Sequence, residues 1–379
     1  MPSRMADPDS EPAIRATPGH NSDRVSLECN RIGAALSAWL GIPIASFRVL
    51  ASGWETTLFE FVPAARSPRM PDATPGAPLV LRFYASAAMA AAGAREFETI
   101  RALTEAGYPV PCAHLFEADS APLGAPFLVM GRLAGAPLFG INPFPVAFKN
   151  FSLGFLGFVR AHARLHRLAG PDRILARALD AAGGPSLASR ADPLDFALAT
   201  IADRVARGPL PGLAEALANL VERAPRFRND APPSFLHMDY HPQNVIVSGM
   251  RVTGVIDWSH TAVGDRHFDA ATTAAILATS SMEHPRWMRD NVAGNSLRLT
   301  FNALYVALYH AIAPIRFERL RYFQGVAAVE RLSMLAMMRV RGPESVGFRP
   351  EAIAEVTPSV LKLLGRYASR KTGVPVRVP

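Results

Sequence analysis

Apolar residues fall at helical spacing from Ser26 to Leu40, with Leu27, Ile32, Leu36 and Leu40 as the repeating positions. The pattern then becomes strand-like. FRVLASGWETTLFEFV, residues 47–62, sets two β-branched and aromatic runs on either side of a glycine turn. Residues 63–78 are broken by Pro and Gly and predict a loop, and LVLRFY at 79–84 predicts a short buried strand. Ala85–Ala106 is Ala-rich and helical, carries REFETIRAL, and stops at Gly107 ahead of Pro109. AHLFEAD (113–119) and APFLVMGRL (125–133) predict another strand pair. Beyond Ala134 helical spacing dominates, most clearly at 150–168 and 296–340, with one strand-like island at 235–258. No segment repeats at a fixed period. The pattern predicts a strand-rich N-terminal lobe at 26–131 and a larger helical lobe at 132–365. A disordered tail is expected at 1–25, and a loose C-terminal tail at 366–379.

Composition narrows the class. With 379 residues, 49% of them hydrophobic, the chain is long enough for two lobes around a sizeable core. No run of about 18 apolar residues occurs, and the polar N-terminus lacks the apolar stretch of a secretory signal, so a soluble cytoplasmic protein without a membrane partner is expected. Cys29 and Cys112 make neither a disulfide framework nor a metal-ligand spacing. The formal charge is +8, yet Lys149, Lys362 and Lys371 are the only lysines among the 40 basic residues. The arginines are scattered, without basic runs or interleaved aromatics, which argues against a nucleic-acid partner.

The chemistry concentrates in the island FLHMDYHPQNVIVSGMRVTGVIDW, residues 235–258. Asp239 precedes Asn244 by five positions, and two β-branched runs about a Ser-Gly turn separate Asn244 from Asp257. A hairpin there returns the chain to its start and sets Asn244 beside Asp257. Two oxygen ligands next to a further carboxylate, without Cys or a regular His cluster, suit a hard ion such as Mg²⁺. Phosphoryl transfer needs little more, because the metal neutralises developing charge and a carboxylate positions the attacking hydroxyl. Taken alone, D-x4-N also fits an ordinary loop with Asx turns. The preceding His237, the hairpin and the closing Ile-Asp-Trp weigh against that.

HMDYHPQN together with GVIDW resembles the catalytic and metal motifs of the aminoglycoside phosphotransferase/choline kinase family, small-molecule relatives of the protein kinases. GDRHFDAA (264–271) resembles that family's Gly-Asp…Asp sequence, and the likeness spans roughly residues 45–345. It implies an α+β, protein-kinase-like two-lobe fold, with an antiparallel-sheet N-lobe and a mainly helical C-lobe. It also implies a Mg²⁺-dependent transfer of phosphate from ATP (or GTP) to a small-molecule hydroxyl. By the same likeness Asp239 is the catalytic base, Asn244 and Asp257 are the metal ligands, His237 braces the loop, and Asp265 and Asp269 are mainly structural. ASGWETT (51–57) resembles the family's phosphate loop, which brings in Ser52, Gly53, Trp54 and Thr56. No lysine precedes Lys149, so Arg82 in LVLRFY stands as the cation of that strand, with Glu96 of REFETIRAL as the helix carboxylate that orients it. GAPFLVMGRLAGAPL (124–138) resembles the segment joining the lobes, where backbone near Met130, Gly131 and Leu133 would meet the purine.

The sequence departs from the family at Met238, where glycine is usual, and Asp257 is followed by Trp258 rather than by Phe-Gly. Without an activation-loop signature, a small hydroxyl acceptor is expected rather than a protein. Between Ala270 and Glu344 five acids face nine arginines, which tilts the acceptor away from polycationic aminoglycosides and toward a neutral or anionic molecule. Two alternatives remain open at this point: a non-catalytic nucleotide-binding module of the same fold, and an aminoglycoside-modifying kinase. His166, Tyr305 and Tyr309 are expected in the core.

Overall fold

The computed structural model describes residues 22–53, 56–84, 86–139, 144–182, 192–208, 210–228, 231–279 and 292–377. Helix α1 (Ser22–Leu40) leads into β1 (Ile44–Ser52), β2 (Thr56–Pro63) and β3 (Leu79–Tyr84), followed by α2 (Ala90–Glu105), β4 (Ala113–Glu117) and β5 (Phe127–Gly131). The strands form one antiparallel sheet in the order β1-β2-β3-β5-β4, so LVLRFY runs through its centre.

Strand alternation divides this sheet between two cores. Leu79 and Leu81 of β3, with Phe127 and Val129 of β5, pack on the side of Ile32 and Leu36 from α1. Val80 and Tyr84, with Leu128 and Met130, belong to a second core that continues into the helical lobe. Arg82 shares the inward parity of Val80 and Tyr84, which directs a charged side chain toward the second core. Helix α2 approaches this face closely at Gly93, where a Cβ would lie 2.5 Å from the Phe116 ring and 2.9 Å from that of Tyr84.

The helical lobe begins with β6 (Ala136–Pro137), α3 (Phe144–Leu165), α4 (Pro171–Ala181), α5 (Pro193–Arg207) and α6 (Ala214–Arg223). The island of residues 235–258 becomes β7 (Ser234–Leu236), β8 (Val245–Ser248) and β9 (Arg251–Val255), with β10 (Ala262–Gly264) just beyond. The strands β6, β8 and β9 make one small sheet, and β10 pairs with β7 in another. Helices α7 (Arg266–Thr279), α8 (Val292–Ile312), α9 (Phe317–Arg341) and α10 (Pro358–Thr372) complete the lobe. The helical run expected at 296–340 is thus two helices, divided at 313–316 around Pro314, which lacks the N–H that continuation requires. Among the described residues, no helix is long and apolar enough to cross a membrane.

The C-terminal segment corrects one expectation. Residues 366–372, read from sequence as the start of a tail, belong to α10, which Thr357 caps by accepting from the Val360 N–H and Gly373 ends at φ +84°. Val360, Leu361, Leu364, Tyr367 and Ala368 bury one face of that helix. Val374 and Val376 pack on the core behind it, and the Arg377 N–H reaches the Gly212 carbonyl at 3.3 Å. The basic composition of this stretch masked its apolar face.

Polar links tie the lobes together. Arg349 donates to Thr57 Oγ1 at 2.9 Å, Arg164 to the Gly107 carbonyl at 2.6 Å, and Arg177 of α4 pairs with Glu98 and Glu105 of α2 at 2.7 and 2.6 Å.

Candidate active site

The island folds because its two β-branched runs pair, Val245 opposite Val255 and Ile246 opposite Gly254. The Ile256 N–H then donates to the Asn244 carbonyl at 2.9 Å, which sets Asp257 next to Asn244 as the hairpin reading requires. The Asn244 amide Nδ2 donates to the Asp239 carbonyl at 3.0 Å and lies 3.4 Å from Asp239 Oδ2. All three side chains face a cleft of about 970 Å³ that Gly53, Thr56 and Arg82 also line. Residues that the sequence spreads over more than 200 positions are therefore brought to one place.

Two of them sit at unusual backbone angles. Met238 has φ +64° and Asp257 φ +68°, the left-handed region that disfavours side chains with a Cβ. The first value explains the departure noted at Met238, since glycine reaches that region without strain. The loop is held there from behind. Asp269, fully buried in the first turn of α7, accepts from the backbone N–H groups of His237 at 2.7 Å and Met238 at 2.9 Å. Its Oδ2 also takes His162 Nε2 at 3.1 Å and His166 Nε2 at 3.0 Å. With Nε2–H committed to the carboxylate, each Nδ1 accepts a tyrosine hydroxyl: Tyr305 on His162 at 2.9 Å and Tyr309 on His166 at 2.6 Å. Burial acts to raise the Asp269 carboxyl, but the two imidazoles overcome it and hold the group well below the usual carboxylate range. Burial pushes His162 down to about 4, so it is neutral at pH 7. The three groups lie close enough to ligate a metal, but hydrogen bonds account for every nitrogen.

His237 braces the loop from within. It is fully buried, its Nε2–H donates to the Ile256 carbonyl at 3.1 Å, and its Nδ1 accepts the Asp239 N–H at 3.3 Å. One ring thus couples Asp239 to the strand end that carries Asp257. Asp265 caps α7 by accepting from the His267 N–H at 2.9 Å, and its other oxygen takes Arg319 Nε at 2.7 Å.

Asp239 is 31% exposed and opens to the cleft. Burial acts to raise its carboxyl, while His241, with Nε2 3.5 Å away, and then His260 more than compensate, so it lies below its ordinary value and is ionised at neutral pH. Asp257 behaves alike: burial raises it, and Arg82, His260 and the Ser259 hydroxyl at 3.0 Å bring it far down.

The N-lobe contributes the opposing charge. Arg82 Nη2 donates to Asp257 Oδ1 at 2.9 Å, and its Nε lies 3.1 Å from Glu96 Oε2. Glu96 is 1% exposed, accepts from the Tyr84 hydroxyl at 2.8 Å, and receives the Trp258 N–H at 3.4 Å. Burial pushes the Glu96 carboxyl up against the pull of Arg82. The hairpin of β1 and β2 closes through the Gly53 N–H on the Thr56 carbonyl at 2.9 Å. Ser52 ends β1, and Trp54 lies outside the described residues.

Met130, Gly131 and Leu133 stand apart. They do not line the cleft: Met130 is buried in the core, and the Gly131 N–H is committed to the Cys112 carbonyl at 2.8 Å. The Leu133 carbonyl accepts from Arg132 at 2.9 Å. Sequence reasoning passed over His162, His241 and Arg95. The i, i+4 spacing of the histidines in HARLH was the one available sign for His162, while the other two matter only through their tertiary neighbours.

A five-stranded N-lobe, a helical C-lobe and a carboxylate, amide and guanidinium cluster in the cleft between them define a kinase-like phosphotransferase. The comparisons agree: a model of the phosphotransferase enzyme family matches residues 46–315, and the chain belongs to that family. No curated protein matches the sequence. Solved structures share the fold at low identity. A Ralstonia eutropha JMP134 protein provisionally described as an aminoglycoside phosphotransferase has TM-score 0.60 and 18% identity, over 89% of this chain and 98% of that one. Macrolide 2'-phosphotransferase type I has TM-score 0.53 and 17% identity, over 96% and 100%. The ADP-bound aminoglycoside phosphotransferase APH(2'')-Ib has TM-score 0.52 and 15% identity, over 90% and 98%. The chain is accordingly a small-molecule phosphotransferase.

Proposed function

We propose that this protein transfers the terminal phosphate of ATP, or GTP, to a hydroxyl group of a small molecule, with Mg²⁺ as cofactor and Asp239 as the base. The observation that carries this is the convergence of Asp239, Asn244, Asp257 and Arg82 on one cleft. Asp239, ionised and open to that cleft, accepts a hydrogen bond from the acceptor hydroxyl and takes its proton as the oxygen attacks. Arg82, fixed between Glu96 and Asp257, presents its guanidinium to phosphate oxygens. By family likeness the turn that carries Ser52, Gly53 and Thr56 would cover the phosphates. Met130, Gly131 and Leu133, which lie off the cleft with their backbone groups committed, have no part in this reading.

The donor set fits a magnesium ion. The Asn244 Nδ2 is occupied by Asp239, which turns the amide oxygen away from it, and Asp257 offers a carboxylate with Oδ1 on Arg82 and Oδ2 left over. These are hard oxygen donors and few in number, as Mg²⁺ shared with phosphates requires. When bound, the ion neutralises charge on the transferring phosphate. That APH(2'')-Ib was solved with ADP supports a nucleotide in the equivalent cleft here.

The test is Mg²⁺-dependent nucleotide consumption against a panel of hydroxyl acceptors: aminoglycosides, macrolides, sugars, choline, homoserine and hydroxylated carboxylates. Asp239→Asn is run beside the wild type. Acceptor-stimulated turnover that disappears in the variant is expected. Turnover that survives the substitution removes Asp239 from its role, and nucleotide binding with no stimulated turnover favours a non-catalytic module.

A further inference from the structure

Resting on that reading, a specific feature of the cleft narrows the acceptor. Arg95 on α2 lines the cleft, and among the described residues it has no ion pair or hydrogen bond; its Nε is buried without a partner. It contrasts with two neighbouring arginines of α2 and α4, which are matched. Arg101 pairs with Glu98 at 2.8 Å, and Arg177 takes both Glu98 and Glu105. Among the described residues five carboxylates line the cleft, Asp172, Asp239, Asp257, Glu330 and Glu355, together with Arg331, and none of the five makes an ion pair with Arg95. Asp257 pairs with Arg82, and Glu330 lies 3.7 Å from Arg204 instead. Burial lowers the Arg95 guanidinium from its ordinary value, with no counter-charge to restore it.

Helix geometry places this cation on the flank of α2 that faces α4. Glu96 turns toward Arg82 and β3. Arg95 is one residue earlier, about 100° around the helix, on the flank that carries Glu98 and Glu105 toward α4. Between these charged groups the cleft also presents apolar side chains: Leu175 and Leu179 of α4, Phe196 of α5, Ile276 of α7, Met334 of α9, and Phe348. Phe196 is 47% exposed and presents a large aromatic surface on the cleft.

We propose that the acceptor is a hydroxylated molecule with an apolar body and one oxyanion, carboxylate or phosphate, and that Arg95 binds the oxyanion while the hydroxyl reaches Asp239. The apolar side chains take the body of the molecule, and the bidentate guanidinium fixes which hydroxyl faces the base.

Steady-state kinetics test this with hydroxylated medium-chain carboxylates bearing the hydroxyl at successive carbons. The matching alkyl phosphates, primary amides and amino alcohols are run in parallel. The wild type is expected to use one of the two anionic series with kcat/KM ~10- to 100-fold above the amides, the size of one charge-assisted contact. Arg95→Met should raise the acceptor KM by that factor and erase the preference, while the nucleotide KM stays put, and Arg95→Lys should restore part of it. Whichever anionic series responds identifies the group. Stimulation by amides or amino alcohols as strong as by the anions overturns the proposal while leaving the kinase reading intact. So does stimulation by neither anionic series, or a rise in nucleotide KM in Arg95→Met. Loss of nucleotide binding in the wild type itself removes both.

Discussion

Arg82 and Asp257 stand 175 positions apart in the chain and 2.9 Å apart in the fold, Nη2 to Oδ1. The same guanidinium meets Glu96, so one side chain of the central N-lobe strand is held by a carboxylate of its own lobe and by one from the other. Because Glu96 is buried, the arginine also neutralises a charge that water cannot reach.

Arg82→Met should therefore cost stability as well as activity. Leaving Glu96 and Asp257 without their counter-charge is expected to destabilise by about 3–5 kcal/mol. Adding Glu96→Gln to Arg82→Met should recover a substantial part of that loss, although not the activity. Urea denaturation of the two variants checks this, and equal stability for Arg82→Met and wild type contradicts it.

Met238 makes a backbone prediction. Glycine at this position relieves strain of roughly 1–2 kcal/mol from the left-handed geometry, against an unfolded-state penalty of roughly 0.5–1 kcal/mol for glycine. Met238→Gly should thus be near-neutral in stability. Met238→Ile keeps the side chain but adds β-branching at positive φ, and should lose roughly 1–3 kcal/mol. Thermal melts of both decide it. A large loss for glycine with none for isoleucine refutes the strain argument.

The pH profile of turnover follows from His241. Asp239 titrates below its ordinary value, so the acid limb of kcat due to this base should lie below the normal aspartate range, with a plateau through neutral pH. His241 is the largest of the influences that lower it, opposing burial. His241→Gln should therefore move the acid limb upward, with the plateau rate affected less than the limb. An unmoved limb places the titration elsewhere.

His162 governs acid stability in the opposite chemical sense. Folded, it takes a proton only near pH 4, against 6.5 ordinarily. As pH falls below 6.5 the unfolded chain binds that proton first, so stability is complete above this range and declines toward pH 4, by on the order of 3 kcal/mol. His162→Gln should flatten this part of the stability curve. Denaturation between pH 4 and pH 7 measures it.

The clustering of the candidate residues was legible in the sequence where it is local. Asp239, Asn244 and Asp257 lie within one hairpin, and the β-pairing that joins them is written in the β-branched runs between them. Arg82 could be found because the strand is short, apolar and contains a single cation, in a chain with no lysine before Lys149. Arg95 could not, since its meaning lies in the partners it lacks, and only the packing of α2 on α4 shows that. His162 and Asp269 are 107 positions apart, and their pairing depends on the end of α3 meeting the first turn of α7. The apolar side chains of the cleft come from four helices and a loop, none marked by a motif. The buried face of α10 was obscured by the basic residues sharing the helix.

The arginine on β3 also changes how the protein meets chemical reagents. Amine-reactive nucleotide analogues tag kinases by acylating a lysine beside the phosphates, and here no lysine lines the cleft among the described residues. Lys362 and Lys371 both lie on α10, outside the cleft. If the cleft takes a nucleotide as proposed, such labelling would meet no lysine among the described residues that line it, so silence there would be a consequence of side-chain nucleophilicity and not of inactivity.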